Sequence, residues 1–125
     1  MTGYVGNIEE LTEANENFRQ VVFTGQHQQL VVMCLQPGED IGLEVHNTTD
    51  QFFRVESGRG KVVMNGEETE FYGGFAIVVP AGTEHNIINL SQSEKLKLYT
   101  IYSPPNHPAG TIHQTKAEAM AHEHD

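Results

Sequence analysis

Glu44-Val45-His46 places a carboxylate and an imidazole two positions apart. On an extended chain, residues at that spacing point to one face, so the two side chains project together. Gln51 follows on the next strand, across a four-residue turn from Asn47 to Asp50. His85 enters just after the turn Pro80-Ala81-Gly82. A barrel that gathers these strand ends at one mouth brings together one carboxylate, two imidazoles and one amide oxygen. Such a mixed nitrogen and oxygen shell suits a borderline or hard divalent transition metal: Mn, Fe, Ni, Co or Zn. Glu44, His46 and His85 also make up the two-histidine, one-carboxylate set that leaves positions open for substrate or O2. The plainer assignment makes Glu44 a surface residue on an edge strand, and His46 and His85 ordinary residues of a barrel mouth. Burial separates the two, because an interior carboxylate without a partner is costly and a metal is its natural partner. Gln51 is expected as a direct ligand, with hydrogen-bonded support of another ligand as the alternative. Glu44 is expected as a ligand and is the candidate catalytic residue, with a hydrogen-bonded base as the alternative to direct ligation.

The chain has seven histidines and no tryptophan, so the other five histidines need a place. His27 sits in the turn Gly25-Gln26-His27 and reads as surface. His122 and His124 are expected to be solvated near the C-terminus. His107 and His113 follow the stiff, extended segment Ser103-Pro104-Pro105-Asn106. That segment can fold over the barrel mouth or onto a partner subunit, where either histidine could act as proton shuttle or extra ligand. A solvated tail with packing histidines is the expectation preferred here.

Three zones position these residues. Residues 1–17 are polar and acidic, with Ile8 and Leu11 three apart, and read as a lead-in with one helical turn. Residues 18–102 form a string of short Val/Ile/Phe/Tyr-rich runs bounded by Gly, Pro, Asn or Asp, with strands predicted near 18–24, 28–35, 41–46, 51–56, 61–64, 67–72, 76–79, 85–89 and 96–102. Asn65-Gly66 is a strong hairpin signal, because a type I′ turn needs positive φ. Gln36-Pro37-Gly38-Glu39 is another turn. Short strands at regular spacing indicate an all-β sandwich or barrel. Residues 103–125 form the tail, in which Lys116–His122 is rich in helix formers and predicts a short helix.

Composition narrows the function. Seven Lys and Arg against seventeen Asp and Glu give a formal charge of −10, which excludes phosphate-neutralising contacts with nucleic acid and disfavours an anionic membrane. At 125 residues with 38% apolar content, the chain fits one domain with its own core. No secretory signal and no apolar run of membrane-spanning length is visible, and one cysteine, Cys34, fits a reducing cytosol. Cys34 is expected to be buried and inert. Asn47-Thr48-Thr49 and Asn89-Leu90-Ser91 match the glycosylation sequon by chance.

The same residues carry a family resemblance. Gly38, five residues, Glu44-Val45-His46, four residues, Gln51, six residues and Gly58 keep the spacing of the first cupin motif. In that motif Glu44 stands where a histidine is usual, and Gln51 where a glutamate is usual. Gly74, five residues, Pro80-Ala81-Gly82, two residues, His85, three residues and Asn89 match the second motif without departure. Over roughly residues 18–102 the chain resembles a small single-domain cupin, with fifteen residues between the motifs. The resemblance implies a conical double-sheet jelly-roll barrel, a metal at Glu44, His46, Gln51 and His85, a small-molecule substrate or ligand, and a homodimer. It offers three function classes: a metal-dependent isomerase or lyase acting on a small polar sugar or keto acid, an Fe(II) dioxygenase, and a non-enzymatic ligand-binding or sensing module. A phosphosugar site would need clustered cations. Arg54, Arg59 and Lys61 are the only ones expected near the mouth, and Arg54 and Arg59 read better as solvated.

Overall fold

A computed structural model describes residues 2–122. In chain order the elements are α1 (Ile8–Ala14), β1 (Arg19–Thr24), β2 (Gln29–Leu35), β3 (Asp50–Ser57), β4 (Arg59–Met64), β5 (Glu67–Tyr72), β6 (Ala76–Val79), β7 (His85–Asn89), β8 (Leu96–Ser103), β9 (Ile112–His113) and α2 (Lys116–Ala121). They form a six-stranded sheet, β6-β3-β8-β2-β1-β9, and a three-stranded sheet, β5-β4-β7, with antiparallel pairing throughout. One apolar cluster fills the space between the sheets, including Met33, Leu35, Phe53, Phe71, Ile87 and Leu98. This is the all-β fold that the strand pattern indicates, in the double-sheet jelly-roll form that the family resemblance implies.

Strand β2 shows why the N-terminal lead-in folds. Val31, Met33 and Leu35 point into the core by strand alternation, yet Val32 and Cys34 on the opposite face are buried too. The lead-in covers them. Lys97 lies opposite Cys34 in register. Its ammonium donates to the Glu13 carbonyl at 2.9 Å, the Asn15 carbonyl at 2.8 Å and the Glu16 carboxylate at 3.0 Å. A buried cation saturated in this way pins the C-terminal end of α1, while Asn7 caps its start by accepting from the Glu10 N–H at 3.0 Å. The lead-in is therefore a seven-residue helix, longer than the single turn expected. Burial pushes the Cys34 thiol above its usual range, which keeps it protonated and inert.

The Asn65-Gly66 hairpin joins β4 to β5 as expected, with φ of 48° and 84°. The strand expected at 41–46 is not regular. Asp40 pairs with Ile88 and Glu44 with His85, so four steps along this segment match three along β7. The extra residue is a bulge, and Gly42 absorbs it at φ 113°, a conformation that side chains rarely adopt.

The tail also departs from expectation: it is docked against the barrel. Gln29, fully buried at the start of β2, accepts from the N–H groups of Asn106 at 3.1 Å and His107 at 3.0 Å. Its amide nitrogen donates to the His107 carbonyl at 2.7 Å and to Thr24 at 3.0 Å. Beyond it, β9 pairs with β1, placing His113 opposite Arg19. Helix α2 is capped by Thr115, and Lys116 forms an ion pair with Asp40. The two prolines bring the chain back to the mouth, where buried amide partners hold it, and this overturns the solvated tail. His27 is exposed, as expected, and so is His122, whereas His124 lies outside the described residues.

Candidate metal centre

The site begins with the backbone pairing of the bulged segment and β7. Glu44 and His85 exchange both N–H to carbonyl hydrogen bonds at 2.9 Å, which fixes the two residues side by side. The loop leading into His85 is tied down twice: Gly82 donates to the His46 carbonyl at 2.9 Å, and Ala81 donates to the Asp50 carboxylate at 2.8 Å. The pairing therefore presents the side chains of Glu44, His46 and His85 to one point, despite the irregular strand. A ligand atom from each lies within 4.8 Å of the others.

The donor atoms are prepared for an ion. His85 Nδ1 lies 2.9 Å from the Thr83 carbonyl, which fixes the proton on that nitrogen and leaves Nε2 with a free lone pair. His46 Nε2 and a Glu44 carboxylate oxygen are 2.8 Å apart. Nevertheless, His46 Nε2 is buried without a well-directed hydrogen bond. Closeness without hydrogen-bond direction fits two ligands aimed at a common cation better than a donor aimed at an acceptor. Gln51, 3% exposed, donates its amide N–H to Thr100 at 3.0 Å. That bond orients the amide and leaves Oε1 as a buried acceptor with no partner. An orphaned buried carbonyl is unfavourable unless something cationic or a donor satisfies it. Glu44, His46 and His85 therefore fit a divalent ion bound through mixed nitrogen and oxygen ligands.

Burial alone would push the Glu44 carboxyl up, but the His46 imidazole beside it, together with Arg19 and His85, outweighs burial and holds it below the usual range. Glu44 is thus an anion ready to ligate. The solvated-edge alternative for Glu44 does not hold, because its side chain is only 18% exposed.

A cavity of about 890 Å3 opens directly onto Glu44 and His46. The docked tail forms its far wall through His107, Pro108 and His113, and exposed Leu43 and Val45 sit at its edge. Tyr102 is buried beside the cluster, with its ring 5.8 Å from that of His46 and 5.1 Å from that of His107. Burial pushes the Tyr102 phenol up to about 12. Desolvation, with Arg19 nearby, pulls His107 down to about 4. Both groups are neutral near pH 7, and His107 Nε2 lies 3.3 Å from the Tyr102 hydroxyl.

The matching family model is the cupin domain, aligned to residues 31–102. The chain belongs to the cupin family. This cupin is 51% identical to the Bacillus subtilis (strain 168) protein YrkC over 96% of its own length and 67% of the relative's. It is 47% identical to protein L612 of Acanthamoeba polyphaga mimivirus, over 87% of this chain and 70% of that one. Among solved structures it resembles BH2720 of Bacillus halodurans, with TM-score 0.92, 50% identity, and coverage of 94% of this chain and 93% of the other. It also resembles TT1209 of Thermus thermophilus, with TM-score 0.71, 25% identity, and coverage of 80% and 96%.

Of the residues expected from the motifs, Glu44, His46 and His85 come together and Gln51 is buried on β3, but the expected cations do not reach the cavity. Lys61 pairs with Glu68 on the smaller sheet, Arg54 lies 3.6 Å from Glu56, and Arg59 is exposed; none lines the cavity. The cation that does is Arg19. The motifs pass over it, and its only sequence signal is a charge at the start of an apolar strand. Asn89 is structural, donating to the carbonyls of Gln36 at 3.0 Å and Glu94 at 2.9 Å and accepting from Ser91 at 3.0 Å.

Proposed function

We propose that this cupin is a metal-dependent enzyme of the isomerase or lyase type. A divalent transition ion would be held by Glu44, His46, His85 and the Gln51 carbonyl. One observation carries the reading: Glu44, His46 and His85 bring ligand atoms within 4.8 Å of one another, and two of them, Glu44 and His46, line a substrate-sized cavity. A bound ion supplies Lewis-acid polarisation of a substrate carbonyl or hydroxyl. Glu44 and His46 hold their positions through backbone ties rather than side-chain bonds, so little reorganisation accompanies loading. Tyr102 and His107 offer neutral hydrogen-bonding groups beside the ligands, and the tail walls one side of the cavity. Glu44 serves as a ligand rather than a free base, because it already lies against His46.

The test is elemental analysis of protein purified without added metal, then reconstitution with Mn, Fe, Ni, Co and Zn and an activity screen. About one ion per chain is expected, with at least tenfold loss in Glu44→Ala. No metal on isolation and none on reconstitution would overturn the assignment, whereas full retention in Glu44→Ala would return Glu44 to the role of base.

The two-histidine, one-carboxylate set favours a second reading, an Fe(II) dioxygenase. Substrate-dependent O2 consumption by the iron-loaded protein separates it from the first. A cytosolic location suits the single buried thiol, and among the described residues no helix is long and apolar enough to cross a membrane. A homodimer formed through a sheet edge would be better served by β6 than by β5. Glutamates 67, 68 and 70 blunt the β5 edge, while β6 is an edge with exposed Val78.

A further inference from the structure

Arg19 is the least expected member of the cavity wall. It is 6% exposed, begins β1, and lines the cavity that contains Glu44 and His46. A guanidinium is a permanent cation, and burying one is costly unless an anion and hydrogen-bond acceptors surround it. Among the described residues Arg19 makes no ion pair. Its Nε is buried without a hydrogen-bond partner, and its Nη1 lies 3.5 Å from His113 Nδ1. Its guanidinium also lies 5.3 Å from the centroid of the Phe18 ring, which orients the fork without neutralising it.

The nearby acids are committed elsewhere. Glu44 belongs to the ligand set. Glu118, also on the wall, accepts from the Gln114 N–H at 3.2 Å at the start of α2. In a protein of charge −10, the cavity thus keeps a desolvated cation in no ion pair, whose nearby carboxylate, Glu44, belongs to the ligand set. A divalent ion bound to a single carboxylate would add a second uncompensated charge on the same cavity.

We propose that Arg19 is the substrate-anchoring residue and that this cupin acts on small monocarboxylic acids bearing a second oxygen function, such as hydroxy or keto acids. The carboxylate of such an acid takes the planar fork of Arg19, and its other oxygen faces the metal ligands. A carboxylate matches a single fork in a two-point contact. A phosphate dianion is a poorer fit, because one cation must serve it beside Glu44 and Glu118 on the same wall. Leu43, Val45 and Ile112 give the edge of the cavity an apolar lining, suited to the carbon body of the acid. This deepens the metal-enzyme reading and rests on it for the second contact.

The test is calorimetric titration of the protein, metal-free and nickel-loaded, with pyruvate, glycolate and mandelate and with their three neutral amides. Wild-type protein should bind at least one acid ten times or more tighter than its amide. Arg19→Gln should bring acid affinity down to the amide's while nickel content stays at the wild-type level. Arg19→Lys should retain part of the preference, since the charge remains and the fork is lost. The comparison of acid with amide needs no variant, so a misfolded Arg19→Gln leaves the proposal testable. Equal binding of acids and amides, undiminished acid binding by folded Arg19→Gln, or no acid bound at 50 mM in either form overturns it. An Arg19-dependent acid preference in protein that never takes up metal upholds the anchor and defeats the metal reading instead.

Discussion

Replacing Gln29 with methionine should release the tail while leaving the barrel closed. The substitution keeps side-chain length and apolar packing but removes every hydrogen bond of the amide. Four are lost: donations to Thr24 and the His107 carbonyl, and acceptances from the Asn106 and His107 N–H groups. The Thr24 bond lies within the β1–β2 hairpin, so three of the four reach the tail; at a net worth of about 1 kcal/mol each they contribute about 3 kcal/mol, roughly a hundredfold in the docking equilibrium. Native-state hydrogen exchange of the Asn106 and His107 amides reads this directly. Their exchange should quicken by about a hundredfold, while amides of β2 and β8 in the core change far less. Unchanged protection at Asn106 and His107, with the variant folded, would refute the view that Gln29 is what holds the tail.

Gln51→Ala should lower metal affinity by about ten- to a hundredfold with the fold retained, and equilibrium dialysis checks it; unaltered affinity would remove Gln51 from the ligand set. Lys97→Met should destabilise the protein by about 2–3 kcal/mol in urea, because the carbonyls of Glu13 and Asn15 lose their buried donor. Burial pushes the Asp40 carboxyl up, but hydrogen bonds from Asn86 and Lys116 hold it below its usual 3.8, so its contribution is complete above that value and is lost as pH falls through the lower folded one. Proteolytic sensitivity of α2 should therefore rise only below about pH 4, and Lys116→Ala should show the raised sensitivity already at neutral pH. His107, with its pKa near 4, should keep a neutral ring from pH 8 to pH 5 in an NMR titration, and a midpoint above pH 6 would contradict its desolvated setting.

The ligands were legible because strand chemistry is local. Alternation placed Glu44 with His46, and Pro80-Ala81-Gly82 marked the turn into His85. The Asn65-Gly66 hairpin was legible for the same reason: its two residues carry the positive φ themselves. The bulge was not legible, since Gly42 looks like any glycine until the pairing with β7 shows one residue too many. Arg19 and Gln29 stayed hidden because a polar residue at the start of a strand reads as solvated. Arg19 meets His113, 94 positions away, and Gln29 holds the segment at His107, 78 positions away. The tail followed the same rule. Its diproline announced stiffness, but the groups that receive it lie on β1 and β2, which no local pattern connects to residue 106.

The backbone exchange between Glu44 and His85 has a consequence for the order in which the site comes together. Every proposed ligand lies between residues 44 and 85, and the two segments bearing Glu44 and His85 bond directly to each other. The opposite wall joins β1 to β9 across nearly the whole chain. An emerging chain can therefore assemble its ion-binding half first, with the pocket still open on one side. The half that pairs Arg19 with His113, the proposed acid anchor, matures only when the last strand arrives. Loading the ion and enclosing the substrate space are thus separate events, and a chain cut short before β9 would hold its ion in an open dish.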